Sequence, residues 1–405
     1  MPTIPSGNVV IGQSGGPTAV INQSLVGVVE TLRGKPGIQK ILGARHAVRG
    51  MVKDDFIELQ DVPQERLERI AGTPSAALGS SRDKPDAEYC RKIFEVLARK
   101  EARYFFYIGG NDSSDTCRII SELAQAQSVD LRCFHVPKTI DNDLMMNDHT
   151  PGFGSAAKFV ACAFIGDNLD NRSLPGIKLN VVMGRHAGFL TAASVLARQG
   201  RDDGPHLIYV PEAPFNVDRF IADVDRVYSR LGRCLIAISE GIHDERGTPI
   251  AVKLADDLKL PVERDAHGNV ALSGTGVLGD FLSQAIKKRL GEKHPKLRVR
   301  ADTFGYVQRC YPLGISEVDQ HEARQVGRHA AQLALDGHRD GSIAIQRVSS
   351  HPYTVAYPRV ELRDIAAKTR TLEPAYIRDG CDIDPSFRDY LLPIVGRMPI
   401  VETLA

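Results

Sequence analysis

The sequence predicts an α/β protein with mainly parallel sheets covered by helices on both faces. Three observations predict it. Short apolar runs recur along the chain, each ends in a glycine or polar turn, and a helical pattern follows most of them. Runs that are apolar throughout, rather than alternating, suit strands buried on both faces. In such sheets ligands bind beyond the carboxyl ends of the strands, which is where these turns fall.

In order along the chain, residues 8–12 (NVVIG) lead into GQSGGPT and then a helix on which Ile21, Leu25, Val28, Val29 and Leu32 recur at helical spacing. Residues 104–108 (YFFYI) lead into GGNDSSD and a helix carrying Cys117, Ile120 and Leu123, and residues 131–136 (LRCFHV) end at PKTIDND. Residues 179–183 (LNVVM) end at GRHAG, with a helix through FLTAASVLAR. Residues 206–210 (HLIYV) end at PEAPF, after which Val217, Phe220, Val224, Val227 and Leu231 mark a helix. Residues 234–239 (CLIAIS) end at EGIHDE. Dense Gly and Pro punctuation at 144–158 suggests a domain boundary. The last 55 residues read as mixed strand and helix without identifiable chemistry.

At 405 residues the chain has room for two or three domains with cores of their own. Hydrophobic residues make up 42% and charged residues 25%, as in ordinary soluble globular proteins. With 51 basic and 50 acidic residues there is no gross attraction to nucleic acid or to a membrane. Seven cysteines without a CxxC pair fit reduced thiols in a cytosolic protein. The start, MPTIPSGNVVIG, lacks the charged and apolar regions of a signal peptide. No apolar run reaches the roughly 18 to 20 residues that span a bilayer. The expectation is a soluble, cytoplasmic protein with neither nucleic-acid nor membrane partners.

Four turns carry candidate chemistry. SGGPT (residues 14–18) lies between strand and helix, where backbone N–H groups and the helix N-terminus favour an anion, although taken alone such a stretch is more often a plain tight turn. GGNDSSD has the same geometry with a carboxylate at Asp112; either a divalent cation lies between it and a phosphate, or Asp112 or Ser113 caps the helix. PKTIDND (residues 137–143) adds a lysine able to neutralise phosphate, Lys138, and two carboxylates, Asp141 and Asp143, that could divide into general base and metal holder, although a bare DND is usually a turn. MGRHAG (residues 183–188) presents Arg185, and GYVQR (residues 305–309), with Arg300 before it, adds further cations. SGTGVLGD (residues 273–280), with Asp302 downstream, matches a dinucleotide fingerprint. Only VAL precedes it as strand, so a Gly-rich helix start packed on a neighbour accounts for it.

In this order, from about residue 8 to residue 330, SGGPTAVIN, GSSR, GGNDS, PKTIDND, MGRHAG, VPE, SEG and GYVQR resemble the phosphofructokinase family, and within it the pyrophosphate-dependent branch. The resemblance implies two Rossmann-like three-layer α/β domains with the active site in the cleft between them. It implies magnesium-assisted, reversible phosphoryl transfer from pyrophosphate to O1 of fructose 6-phosphate. Residues 1–150 would bind the phosphoryl donor, 151–310 the sugar phosphate, and 311–405 would pack back on both domains. By position, Asp141 would accept the C1 hydroxyl proton, with Lys138, Asp112 and Arg185 completing the catalytic set. Gly16, Arg82 and Lys138 would lie along the donor. Thr139, Met183, Gly184, Arg185, Glu240, Tyr306 and Arg309 would hold fructose 6-phosphate, and Asn111, Asp112 and Asp143 the magnesium. Arg300 matches an arginine that members lend to a neighbouring subunit, implying a homodimer or homotetramer with shared sites.

Members that use ATP have glycine where this chain has Asp112 and Lys138. An aspartate puts bulk and negative charge where the nucleotide's inner phosphate would sit, and the lysine supplies charge to the smaller pyrophosphate. Two positions depart from the family pattern. Its usual metal-facing aspartate is Asn111 here, and a second lent arginine aligns with Gly176, leaving Lys178 or Arg172 as substitutes. An ATP-dependent kinase is disfavoured by Asp112 and Lys138. A non-catalytic regulatory subunit would lack the base, and a dehydrogenase rests on SGTGVLGD alone.

Overall fold

The computed structural model describes residues 5–257 and 276–404. In chain order its strands are β1 (Gly7–Gln13), β2 (Ile38–Ala44), β3 (Phe56–Glu58), β4 (Ala102–Gly109), β5 (Arg132–Pro137), β6 (Ile177–Val182), β7 (Leu207–Tyr209), β8 (Cys234–Ser239), β9 (Val299–Thr303), β10 (Asp340–Ile343), β11 (Gln346–Ser350), β12 (Tyr353–Ala356), β13 (Arg359–Val360), β14 (Ile377–Arg378) and β15 (Asp382–Ile383). The chain divides into two compact units, Met1–Ser155 with Arg309–Arg370, and Ala156–Gln308 with Thr371–Ala405.

In the first unit a seven-stranded sheet runs in the order β13-β10-β5-β4-β1-β2-β3. Strands β10 to β2 pair in parallel, and the edges β13 and β3 are antiparallel. Strand β4 shows why the apolar runs do not alternate. Tyr104, Phe106 and Ile108 pack on one face with Ile21, Leu25 and Val326, whereas Phe105 and Tyr107 pack on the other with Ile93, Leu97, Cys117 and Ile120. Each face is a core, so every position is apolar. Helix Ile21–Leu32 lies against helix Glu317–Leu335, where Ser24 Oγ donates to Ala323 O at 2.8 Å. Two glycines permit that approach. A Cβ on Gly27 would sit 2.4 Å from Arg324 O, and one on Gly327 would sit 2.3 Å from Ser24 O.

The second unit is built on a four-stranded parallel sheet, order β7-β8-β6-β9. Leu179, Val181, Ile236 and Ile238 pack with Phe220, Val224, Leu282 and Ile286 in its core. Helix Val217–Leu231 is bounded as its sequence predicts. The Asn216 side chain accepts from Arg219 N at 3.0 Å, and Gly232 ends the helix in the left-handed conformation, φ +67°. The helical pattern after GRHAG forms as Phe189–Ala193 continued by a 3-10 turn, Ser194–Ala197. Of SGTGVLGD, residues 273–275 and the VAL run before it lie outside the described residues. Gly276 caps helix Val277–Leu290, and a Cβ on Gly279 would come 3.0 Å from Ala301 Cβ, a packing glycine. Asp302 is engaged by Lys178 at 3.4 Å.

The helix contact at Gly327 yields a stability prediction. Gly327→Ala sets a methyl group against the Ser24 carbonyl, an overpacking that costs about 2 kcal/mol. The melting temperature should fall by roughly 4–8 °C, read by calorimetry. A change of under about 1 °C would mean that the two helices are free to separate.

Candidate functional site

The first unit gathers its candidate residues where β5, β4 and β1 lie side by side and end together. Backbone bonds tie the three exits: Ser14 N donates to Ile108 O at 2.8 Å, and Lys138 N to Gly109 O at 2.9 Å. Ser14 Oγ and Ser113 Oγ meet at 2.7 Å, which only a glycine at 109 allows, because a Cβ there would lie 2.0 Å from Ser113 Oγ. Residues 79–82 lace onto the first loop, with Gly15 N donating to Ser81 O at 2.8 Å and Ser80 Oγ to Gly15 O at 2.6 Å. This brings the exposed Arg82 to the loop that carries Gly16.

Lys138 spans the first and third loops: its Nζ donates to Gly16 O at 2.8 Å. Gly15, at φ +76°, has no room for a side chain beside that amine, since a Cβ would lie 3.0 Å from Nζ. A Cβ on Gly16 would lie 3.2 Å from Arg309 Cζ, so the Arg309 guanidinium belongs to this group of residues as well. Burial pushes the Lys138 amine down to about 8, with the Arg309 charge and, more weakly, Arg82 pushing the same way and Asp141 and Asp143 opposing. Burial raises the Asp143 carboxyl, and the Asp141 charge raises it further; the Thr139 hydroxyl bond opposes. Asp141 N donates to Thr139 Oγ1 at 3.1 Å. One acid held toward its neutral form beside another is the arrangement in which two carboxyls take different chemical roles.

Helix Asn111–Ala126 begins at this point with Gly110 as its cap, so neither Asp112 nor Ser113 is the N-cap. The acid in its first turn, Asp112, pairs with Lys84 at 3.2 Å. Asn111 Nδ2 donates to Asp143 Oδ2 at 3.2 Å, and Asn111 Oδ1 is buried without a hydrogen-bond partner. A buried amide oxygen beside a carboxylate is a donor set that suits a hard divalent cation. Among the described residues no cluster of three or more His, Cys, Asp or Glu forms a metal cage. Beneath the loops, neutral His135 donates from Nε2 to Gly109 O at 2.8 Å and accepts at Nδ1 from Ser342 Oγ at 2.8 Å. Burial holds that ring down to about 4, so it adds no charge next to Lys138.

The remaining candidates belong to the second unit. Met183, Gly184 and Arg185 follow β6, and Glu240 follows β8, its neighbour in the sheet. Gly184, at φ +135°, approaches Ala187 O so closely that a Cβ would sit at 2.5 Å, and Ser239 Oγ donates to Gly184 O at 2.5 Å. Gln308 joins the third piece by accepting from Met183 N at 3.3 Å and donating to Gly305 O at 2.7 Å, which sets the exposed Tyr306 beside the β6 turn. Arg300 is exposed on β9. Of the proposed substitutes for the missing arginine, Lys178 pairs with Asp167 at 2.6 Å and Arg172 with Asp203 at 2.8 Å. Lys84, His135 and Gln308 are the site neighbours that sequence reasoning missed. Only Lys84, next to GSSR, carried a signal, as one more cation after a phosphate-type turn.

Comparison with known proteins gives a consistent result. A family model described as phosphofructokinase matches residues 8–334. The chain is 55% identical over 392 residues to a pyrophosphate–fructose 6-phosphate 1-phosphotransferase of Rhodospirillum rubrum, covering 96% of this chain and 95% of the relative. It is 37% identical to an enzyme of the same name from Halomonas elongata, covering 96% of this chain and 91% of the relative. Among solved structures, a pyrophosphate-dependent phosphofructokinase from Marinobacter aquaeolei superposes with a TM-score of 0.84 at 32% identity, covering 98% of this chain and 93% of that one.

The Lys138 environment is open to direct titration. Its amine should lose its proton near pH 8, read from side-chain NMR of lysine-labelled protein. Arg309→Met removes the neighbouring positive charge and should move that titration upward. A Lys138 amine that titrates in the ordinary lysine range in the unmodified protein, or that does not respond to Arg309→Met, contradicts the buried arrangement.

Proposed function

This chain belongs to the phosphofructokinase family, and on that premise we propose that it transfers a phosphoryl group reversibly from pyrophosphate to O1 of fructose 6-phosphate. The observation that carries the donor assignment is the pair Asp112 and Lys138 on adjacent strand exits. Asp112 sets a carboxylate, held by Lys84, where the inner phosphate of a nucleotide would lie. Lys138, with Arg82 and the backbone of Gly16, neutralises the compact pyrophosphate.

In the reaction Asp141 takes the proton of the C1 hydroxyl as that oxygen attacks the terminal phosphorus. The bridging P–O bond breaks, and its electrons leave with inorganic phosphate. Positioning and charge stabilisation supply most of the rate, since phosphoryl transfer asks little covalent chemistry of the protein. Thr139, Met183, Gly184, Arg185, Glu240, Tyr306 and Arg309 hold the sugar phosphate. Arg309, packed on Gly16, also faces the phosphoryl group in transfer. Family members generally depend on a divalent metal. Here Asn111, Asp112 and Asp143 would hold magnesium, which supplies further neutralisation of the pyrophosphate charge. Arg300, exposed on β9, is offered to a neighbouring copy in a homodimer or homotetramer. A cytoplasmic location suits these substrates, and among the described residues no helix is long and apolar enough to cross a membrane.

A coupled assay with each donor tests the reading. Pyrophosphate should be used at least about a hundredfold more efficiently than ATP in kcat/KM, about 3 kcal/mol in transition-state terms. The reverse reaction, from fructose 1,6-bisphosphate and phosphate, should release pyrophosphate. Comparable efficiency with ATP would overturn the donor assignment.

A further inference from the structure

A buried charged cluster lies outside the reacting residues, in the same unit. His149 is 1% exposed and donates from Nδ1 to Asp148 Oδ1 at 2.8 Å and from Nε2 to Glu322 Oε2 at 2.5 Å. Glu322, on helix Glu317–Leu335, is itself 2% exposed and accepts from Tyr353 Oη at 2.7 Å. From the β11–β12 hairpin Arg347 pairs with Asp148 at 3.1 Å and lies 5.3 Å over the Tyr353 ring. A ring with both nitrogens donating to carboxylates is an imidazolium. Burial opposes that charge, but Glu322 and Asp148 overcome the opposition and hold the ring up to about 9.

The segment that carries His149 is bonded directly to the loop of acids. Thr150 Oγ1 donates to Thr139 O at 2.9 Å, and Thr139 N donates to Pro151 O at 3.2 Å. Farther along, Arg370 N donates to Asp143 O at 2.8 Å while the Arg370 guanidinium donates to the carbonyls of Asn147 and Asp148. Asp319, one turn before Glu322 on the same helix, accepts from Gly152 N at 2.8 Å and from Ser155. Residues 139–143 are thus tied to residues 147–152 directly at Thr139 and through Arg370 at Asp143, and residues 147–152 are fixed to the helix at two points. Removing one partner of such a buried set leaves a charge without compensation, so the anchor is firm only when complete.

We propose that His149 is a positioning residue for the phosphoryl transfer: its charged bridge between Asp148 and Glu322 fixes the 147–152 segment, which sets Asp141 and Asp143 in place. The kinetic part rests on the phosphotransferase reading above; the structural part does not.

The test uses His149→Gln and Glu322→Gln in the full chain. Amide hydrogen exchange across residues 139–152 should speed up by about tenfold or more in either variant. For kcat the fall should be about tenfold or more, with both substrate KM values within about threefold, since a small displacement of reacting groups is costly in rate. In the unmodified protein, nitrogen NMR should show the His149 ring carrying both protons at pH 8. A folded variant that melts earlier but keeps kcat within twofold would reduce the cluster to a stabiliser and overturn the proposal. Unchanged exchange across 139–152 would overturn it too. A neutral His149 ring at pH 8 does so without any variant, and so decides even if neither variant folds. Absence of pyrophosphate-dependent activity in the unmodified protein would fault the functional reading instead, leaving exchange and NMR to judge the bridge.

Discussion

The site depends on one buried charge. Lys138 places its amine at the junction of two strand exits, nine-tenths and more removed from water, bonded to the Gly16 carbonyl. A charged amine in such a place is unfavourable without compensation. The molecule supplies only part of it, through Asp141 and Asp143, while Arg309 and Arg82 add charge of the same sign. The glycines at 15 and 16 follow from this, because the amine and the guanidinium occupy the space their side chains would need. A cluster built with excess positive charge suits an anion, and in the proposed function the incoming pyrophosphate would complete it.

The same crowding bears on donor choice. Lys138 fills space and adds charge from one strand exit, and Asp112 adds bulk and the opposite charge from the next. On the proposed reading, a short donor with all its charge close to the lysine would gain from the first and avoid the second. Asn111 has a place in this balance. Burial and then the Asp141 charge already lift Asp143, and a carboxylate in place of Asn111 would add a further negative charge beside it, whereas an amide offers an oxygen without one.

The parts of the fold legible in sequence are those whose physics is local. Strands β1, β4, β5, β6 and β8 are buried on both faces, so their runs are continuous and end in readable turns. Strand β2 (IQKILGA) is exposed along its first half, and β9 (VRADT) alternates buried and open positions, so neither forms such a run. Strand β10 is short, and it reaches the sheet from beyond the second unit by pairing with β5, a long-range fact with no local signature. In the site, the phosphate-type loops were legible because glycine, lysine and aspartate have special chemistry at strand ends. The bonds of His135 to Gly109 and Ser342, of Lys84 to Asp112, and of His149 to Glu322 join residues far apart in the chain. No spacing rule could have paired them. Arg309 shows the same limit: its place after GYVQ groups it with Tyr306, but its guanidinium lies against Gly16.

The central claim is that these loops form one phosphoryl-transfer site with Asp141 as its base. Asp141→Asn keeps the shape of the side chain and removes its ability to take a proton. Turnover with pyrophosphate and fructose 6-phosphate should fall by roughly two to four decades, while calorimetric binding of fructose 6-phosphate to the variant stays close to that of the unmodified protein. Turnover within a fewfold of the unmodified protein would contradict the account, because the proton would then have another acceptor.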